Sequence, residues 1–281
     1  MKFQIKNIVA IIMVAITLGS CSSEDSNPTV NELDGLTKFK EIENDTHTIE
    51  LYSYMKVEQG YNEIAIKIKN KSTGQYIKDA EIEWLPMMHM KMMSHSCPSS
   101  EVKTIGTSGT VYAGNIVFQM AENDEEYWDL KIDYKINGID YTMTSSIDVP
   151  ASNKQRVTSF TGTDNARYVL ALVQPKNPRV ALNDMVVGLY KMNTMTSFSV
   201  VDNFTIKIDP RMPSMGNHGS PNNVDLKQSA TDQLYHGKMA LTMTGYWKIN
   251  LQLLNEEDEV LKGETITNDV PQSSLYLEVE F

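Results

Sequence analysis

Apolar and polar residues alternate along much of the chain, and a period of two is typical of half-buried β-strands. In the first part of the chain the alternation is clearest at Ile64, Ile66 and Ile68, at Ile82 and Trp84, at Ile116 and Phe118, and at Trp128, Leu130 and Ile132. Asn137-Gly138 separates two alternating runs and predicts a type I′ hairpin turn, because both residues tolerate positive φ. The strand after this turn should run to about Val149.

The second part of the chain repeats this plan. Strands are predicted at 169–173, 204–208, 238–243, 247–253 and 275–281, and no long amphipathic helix is apparent. Short strands separated by turn residues, in units of roughly 110 residues, are typical of antiparallel sandwiches. The pattern therefore predicts an all-β protein with two tandem immunoglobulin-like β-sandwich domains.

Six residues recur at one constant spacing, which indicates an internal repeat. The same six residues occur again 123 positions later in the chain. The first set is Met92, His95, Pro98, Tyr112, Gly114 and Met120, and the second is Met215, His218, Pro221, Tyr235, Gly237 and Met243. Trp128 and Trp247 lie 119 positions apart, so a four-residue deletion is expected between Met243 and Trp247. The chain is therefore interpreted as a tandem duplication.

The first residues have the pattern of an export signal. A basic start at Lys2 and Lys6 precedes a short apolar run, and Leu18-Gly19-Ser20-Cys21 resembles the lipobox of bacterial lipoproteins. The resemblance implies a lipid on Cys21 and a place in the cell envelope, at either face of the outer membrane, as in Bacteroidetes lipoproteins. The predicted organisation is a signal peptide at 1–20, a flexible tether at 21–40, a first domain at 41–150, a linker at 151–165 and a second domain at 166–281.

Charge and cysteine content narrow the function classes. Loss of Lys2 and Lys6 would change the formal net charge from −11 to −11 − 2 = −13, which argues against nucleic acid or anionic headgroups as partners. The mature chain of 281 − 20 = 261 residues would keep one unmodified cysteine, Cys97, so no internal disulfide is expected. Its thiol is expected to be buried, metal-bound or paired with another molecule.

Methionine is concentrated between Met87 and Met93, where five of the seven residues are methionine. Two histidines and Cys97 lie in or near this run. Thioether, imidazole and thiolate ligands suit copper(I), with silver as its chemical mimic, whereas structural zinc usually takes four Cys or His ligands. The predicted metal ligands are Met87, His89, Met90, Met92, His95 and Cys97 in the first copy, and Met212, Met215 and His218 in the second. The strand residues Met120 and Met243 either pack in the core or supply a further thioether.

The second copy resembles a known family across about 169–254. The resemblance rests on the segment from Met212 to Pro221, Met-Pro-Ser-Met-Gly-Asn-His-Gly-Ser-Pro, followed by Tyr235-His236-Gly237, Met243 and Gly245-Tyr246-Trp247. These residues are similar to the YtkA-like domain, an exported β-sandwich akin to FixH-type and CopC-like domains. The first copy, about 49–149, departs by its longer methionine run. The resemblance implies copper handling outside the cytoplasm.

No motif of an enzyme is present. The chain has no Gly-x-Ser-x-Gly elbow, no His-Glu-x-x-His and no glycine-rich phosphate loop, so a non-enzyme is expected. The predicted function is an envelope lipoprotein that binds copper(I) for buffering, sensing or transfer to an envelope partner, with the lipid as its only membrane contact. The alternative is a non-metal scaffold in which the methionine loop is an apolar contact surface for a protein.

Overall fold

Antiparallel β-strands form nearly all the regular structure of residues 31–281, the part of the chain that this computed structural model describes. Within that range the helical structure is one 3₁₀ turn at Pro213–Met215. No helix of the described residues is long and apolar enough to cross a membrane. The all-β prediction is confirmed. The predicted signal peptide and the predicted lipid site Cys21 lie outside the described residues.

The first half of the molecule, residues 37–147, is a two-sheet sandwich. Its strands are β1 (Thr37–Glu43), β2 (His47–Ser53), β3 (Gly60–Asn70), β4 (Glu81–His89), β5 (Ser94–His95), β6 (Lys103–Ile105), β7 (Val111–Phe118), β8 (Tyr127–Ile136) and β9 (Ile139–Ile147). They pair in the orders β1-β2-β3-β7-β6 and β5-β4-β8-β9. Ile66 from one sheet and Met88 and Trp128 from the other belong to one buried cluster, so the apolar faces of the two sheets form the core.

The second half, residues 157–280, uses a similar set of strands. They are β10 (Val157–Thr161), β11 (Arg167–Gln174), β12 (Ala181–Thr194), β13 (Ser197–Val200), β14 (Thr205–Met212), β15 (His218–Gly219), β16 (Val224–Gln228), β17 (Tyr235–Leu241), β18 (Tyr246–Leu254), β19 (Val260–Lys262) and β20 (Tyr276–Glu280). The main order is β10-β11-β12-β17-β16-β14-β18-β19, with β13 on β12, β15 on β14 and β20 on β18. Trp247 and Leu170 lie in its buried core.

The two halves share one strand order, which supports the predicted duplication. The series β1-β2-β3-β7-β6 corresponds to β10-β11-β12-β17-β16, and β5-β4-β8-β9 corresponds to β15-β14-β18-β20. The halves differ because β16 also pairs with β14 and thereby joins the second half into one continuous sheet. The predicted end of the tether at residue 40 falls inside β1, and the predicted linker at 151–165 contains β10.

Equivalent side chains make equivalent hydrogen bonds in the two halves. Trp128 Nε1 donates to the carbonyl of Met120, and Trp247 Nε1 donates to the carbonyl of Met243, both at 3.0 Å. Both indoles are fully buried. A buried indole N–H needs an acceptor, so the repeated tryptophan also fixes the position of the loop before its strand.

A pair of buried asparagines shows the same correspondence. The amide nitrogen of Asn62 donates to the carbonyls of Glu58 and Gly60 at 2.8 and 2.9 Å, and its oxygen accepts from the backbone N–H of Glu58 at 3.2 Å. Asn183 makes the same three bonds to the residues four and two positions before it. In each half one side chain therefore closes the turn that leads into a central strand, β3 or β12.

The two halves pack against each other. Residues 32–281 form one compact unit, and a small apolar cluster joins Val117 of the first half to Val169 and Tyr190 of the second. Beside it, Lys176 Nζ lies 2.5 Å from the carboxylate of Glu63. The junction has both apolar and polar contacts, and it borders the cavities described below.

Candidate functional site

The methionine run forms the hairpin between β4 and β5. Met88 lies opposite His95 in the strand register, and the N–H of Met90 donates to the carbonyl of Met93 at 2.9 Å, which closes the loop. Alternation along β4 separates neighbouring side chains, since consecutive strand residues point to opposite faces. Met88 is fully buried in the core, whereas Met87 and His89 are only half-buried. The run therefore does not act as one cluster.

His89 is held by groups on the neighbouring strand β8. Its Nε2 lies 2.9 Å from Asp129 Oδ2, and its ring stacks on Tyr127 with the ring centres 4.9 Å apart. Met87 lies opposite Asp129 in the register of β4 and β8. The structure thus brings Met87 and His89 to a carboxylate rather than to His95.

Two other predicted ligands of the first copy lie in contrasting surroundings. Met92 is 94% exposed at the tip of the hairpin. Cys97 is 2% exposed inside the core of the first half, and burial raises the pKa of its thiol well above the usual value. A thiol in such surroundings stays protonated, and it is the thiolate that binds metals. Neither side chain lines the cavity between the two halves that is lined by His95 and described next.

A cavity of about 370 Å³ lies between the two halves and is lined by thioethers. Its methionines and its one histidine come from both sides: Met90, Met93, His95 and Met120 from the first half, and Met192 and Met195 from the second. We call this space the methionine cavity. It combines three residues predicted from the sequence, Met90, His95 and the alternative candidate Met120, with three that were not predicted, Met93, Met192 and Met195.

A backbone hydrogen bond fixes the two sides of the methionine cavity together. Thr194 lies opposite Ser197 in the register of β12 and β13, so Met195 and Thr196 form the two-residue turn of that hairpin. The carbonyl of Met195 accepts from the N–H of Ser96 at 2.8 Å. Met195 is thereby held next to the residue that follows His95.

His95 presents one ring nitrogen for coordination. Its Nδ1 lies 2.8 Å from the carbonyl oxygen of Ser96, which can only accept, so Nδ1 carries a hydrogen, and in the neutral imidazole Nε2 keeps its lone pair. The ring packs edge-on against Trp128 with the ring centres 5.8 Å apart. An oriented imidazole with a hydrogen-bonded Nδ1 is the usual arrangement of a metal-binding histidine.

Gln119 also lines the methionine cavity and carries an unpaired polar atom. Its Oε1 is buried and has no hydrogen-bond partner among the described residues. Its Nε2 lies 3.4 Å from His95 Nδ1, which already bonds to Ser96. A buried acceptor without a donor is costly, so this amide lowers the stability of the fold.

The donors of the methionine cavity fit a soft ion better than a hard or borderline one. Among residues 31–281, no three His, Cys, Asp or Glu side chains come together in a metal-binding group. The cavity instead offers several thioethers and one imidazole. This set suits copper(I) and, as a mimic, silver(I).

The predicted ligands of the second copy are not brought together in this way. Met212 is 3% exposed and packs in the core of the second half, whereas Met215 is 57% exposed on the 3₁₀ turn. His218, which lies opposite Met212 in the register of β14 and β15, is also exposed. None of the three lines the methionine cavity.

Met192 and Met195 could have been found from their spacing. Met192-x-x-Met195 repeats the spacing of Met90-x-x-Met93 in the hairpin on the other side of the cavity. Nothing in the local sequence, however, shows that these two hairpins meet. That information lies in the packing of one half on the other.

Comparisons with known proteins add little to this geometry. No protein-family model matches the chain, so the YtkA-like resemblance stays a prediction, and no curated protein matches either. The chain is similar to a conserved domain protein from Bacillus anthracis, with 9% identity, a TM-score of 0.33, and 89% of this chain and 93% of that chain covered. It is similar to the Escherichia coli adhesin FdeC with 9% identity, a TM-score of 0.23, and coverage of 82% and 81%. Neither score supports a functional inference.

Proposed function

We propose that this protein binds copper(I) in the methionine cavity and holds the ion between its two halves. The observation that carries the proposal is the convergence of five methionines and His95 on one cavity of about 370 Å³. Thioether sulfur is a soft ligand that selects monovalent copper over zinc or magnesium. His95 adds a nitrogen ligand whose free lone pair is set by the bond from Nδ1 to Ser96.

The exposure of the ligands favours an exchangeable ion. Met93 is 53% exposed and Met195 is 37% exposed, so the ion can enter and leave from solvent without unfolding of the core. The formal net charge of −11 attracts cations to the surface. These features support buffering, sensing or transfer of copper. Transfer fits best, because an ion held by solvent-accessible thioethers can pass to a similar set of ligands on a partner.

The cellular setting is part of the same proposal. Cys21, with a lipobox-like sequence before it, would carry a lipid and attach the protein to the envelope. An acidic protein anchored in this way would handle copper outside the cytoplasm and pass it to an envelope protein. The lipid is then the only membrane contact that the proposal requires.

The experiment that tests the proposal is titration of the purified, reduced protein with copper(I) in competition with a chromophoric chelator. The paired substitutions Met90→Leu/Met93→Leu and Met192→Leu/Met195→Leu keep apolar volume and remove sulfur from one side of the cavity at a time. Each pair should weaken binding by about tenfold or more, since even the loss of an outer-shell partner has that effect. The expected stoichiometry of the unsubstituted protein is one ion per chain.

Met92→Leu is the matched control, because Met92 belongs to the same hairpin and is 94% exposed outside the cavity. It should leave the affinity unchanged. If the protein does not compete with even a weak chelator, the copper proposal is wrong. If Met92→Leu weakens binding as much as the cavity pairs do, copper binds at the hairpin tip and not in the methionine cavity.

A further inference from the structure

A second and larger cavity lies between the two halves. Its volume is about 750 Å³, and it shares no lining residue with the methionine cavity. We call it the tyrosine cleft, because Tyr61 of β3 and Tyr190 of β12 line it from opposite halves. The volume lies in the range of small-molecule sites, which runs from about 300 to 1,000 Å³.

The two tyrosines carry hydroxyl groups that the protein does not use. Tyr190 is 8% exposed, yet neither its hydroxyl nor that of Tyr61 has a hydrogen-bond partner among residues 31–281. Both hydroxyls have contact with solvent, since the one enclosed side-chain polar atom without a partner among these residues is Gln119 Oε1, so a ligand in the cleft can reach them. Burial raises the pKa of both phenols, so each stays neutral and can donate one hydrogen bond and accept others.

The walls of the tyrosine cleft suit a flat ring. Phe198 of β13 adds a third aromatic side chain to the lining. The cross-strand neighbours Ala65 and Ala113 have small side chains, so the sheet surface is shallow where they lie. Aromatic rings and small apolar residues remove the non-polar face of a ligand from water. A ligand that has an apolar face and polar edges matches this arrangement.

The charged groups around the tyrosine cleft do not require a charged ligand. Each of the three carboxylates that line it already has a partner: Glu63 pairs with Lys176 at 2.5 Å, Glu101 pairs with Lys103 at 3.4 Å, and Asp232 lies 2.9 Å from a ring nitrogen of His236, which is a cation only when protonated. A cation would compete with these partners, and an anion would lie beside carboxylates. The balance of charge favours a neutral ligand.

From these observations we infer that the tyrosine cleft binds a saccharide. An apolar ring would leave the hydroxyls of Tyr61 and Tyr190 without partners, which opposes binding. A sugar ring offers a C–H face to the aromatic side chains, and its hydroxyl groups both donate and accept hydrogen bonds. This chemistry matches two neutral phenols beside Phe198. The inference does not depend on copper binding, since the two cavities have no residue in common.

The test is saturation-transfer NMR of the purified protein with methyl glycosides of glucose, galactose, mannose and N-acetylglucosamine, with cyclohexanol as an apolar ring for comparison. At least one glycoside should show transfer to its ring protons, and cyclohexanol should show less. The double variant Tyr61→Phe/Tyr190→Phe keeps both rings and removes both hydroxyls. It should weaken glycoside binding by about tenfold or more, as expected for two lost hydrogen bonds.

Tyr127→Phe is the matched control, because Tyr127 is 49% exposed and does not line the cleft. It should leave glycoside binding unchanged. The inference is overturned if no glycoside shows transfer, if cyclohexanol binds as well as the sugars, or if the double variant binds glycosides as tightly as the unsubstituted protein. Thermal unfolding of the double variant checks that its fold is retained.

Discussion

Replacing Gln119 with methionine should stabilise the protein, although the residue lies beside His95 in the methionine cavity. The buried Oε1 has no hydrogen-bond partner among the described residues, and Nε2 only approaches a nitrogen that already bonds to Ser96. An unpaired buried acceptor costs roughly 1–3 kcal/mol. Methionine has a similar length and removes that cost. Because Nε2 faces the Nδ1–H of His95 and not an acceptor, no hydrogen bond is lost, and we expect a gain of about 1 kcal/mol in the free energy of unfolding, at the lower end of that range.

The assay is thermal unfolding of the metal-free protein, in which about 1 kcal/mol corresponds to a rise of roughly 2–4 °C in Tm for a chain of this size. Gln59→Met is the matched control. Gln59 Nε2 donates to the carbonyl of Gln119 at 3.2 Å, so the same substitution there removes a hydrogen bond that is made. It should lower the stability by about 1 kcal/mol. If both variants lower Tm equally, the Gln119 amide has a partner and the reasoning is wrong.

Three further predictions concern the rest of the described chain. Cys97 is 2% exposed and burial raises the pKa of its thiol, so it should react with iodoacetamide only in denaturant. Mass spectrometry of the peptide that contains Cys97 measures this, and rapid labelling of the folded protein would contradict the burial. Asn62→Ala and Asn183→Ala should each lower the free energy of unfolding by about 2–3 kcal/mol in urea titrations, because each removes three hydrogen bonds, whereas the exposed Asn268→Ala should change it little. Burial lowers the pKa of His47 below 6.5, so the unfolded chain takes up this proton first and stability should fall as the pH drops through 6.5. His47→Gln should reduce that fall, as measured by urea titrations across this pH range.

Local pattern predicted the strands that have one buried face, because alternation is what such strands require. Trp128, Leu130 and Ile132 are buried along β8, with more exposed residues between them. The turn at Asn137-Gly138 is also as predicted, with φ of 49° and 80°. By contrast, β12 gave no period-two signal and was not predicted. Its residues from Met185 to Tyr190 are all buried, and a strand covered on both faces does not alternate.

The candidate site could be predicted only in part, because its two sides lie far apart in sequence. The thioethers of the methionine run pointed to soft-metal chemistry, but side chains alternate along β4 in the structure, so the predicted ligands are divided between two faces. Which of them meet His95 depends on the docking of β12 and β13 against the first half. The bond from Ser96 to Met195 that fixes this docking leaves no local signature in the sequence.

The two equivalent hairpins have different surroundings because one of them contacts the other half of the chain. The hairpin of β4 and β5 meets the second half, and there Met90 and His95 face Met195. The equivalent hairpin of β14 and β15 meets no corresponding partner among the described residues, and its Met215 and His218 stay exposed. A repeated sequence thus gives a single asymmetric cavity. We therefore expect His218→Ala to leave copper(I) stoichiometry at one ion per chain and His95→Ala to weaken binding by about tenfold or more. Equal losses from both substitutions would mean that the two hairpins bind copper independently.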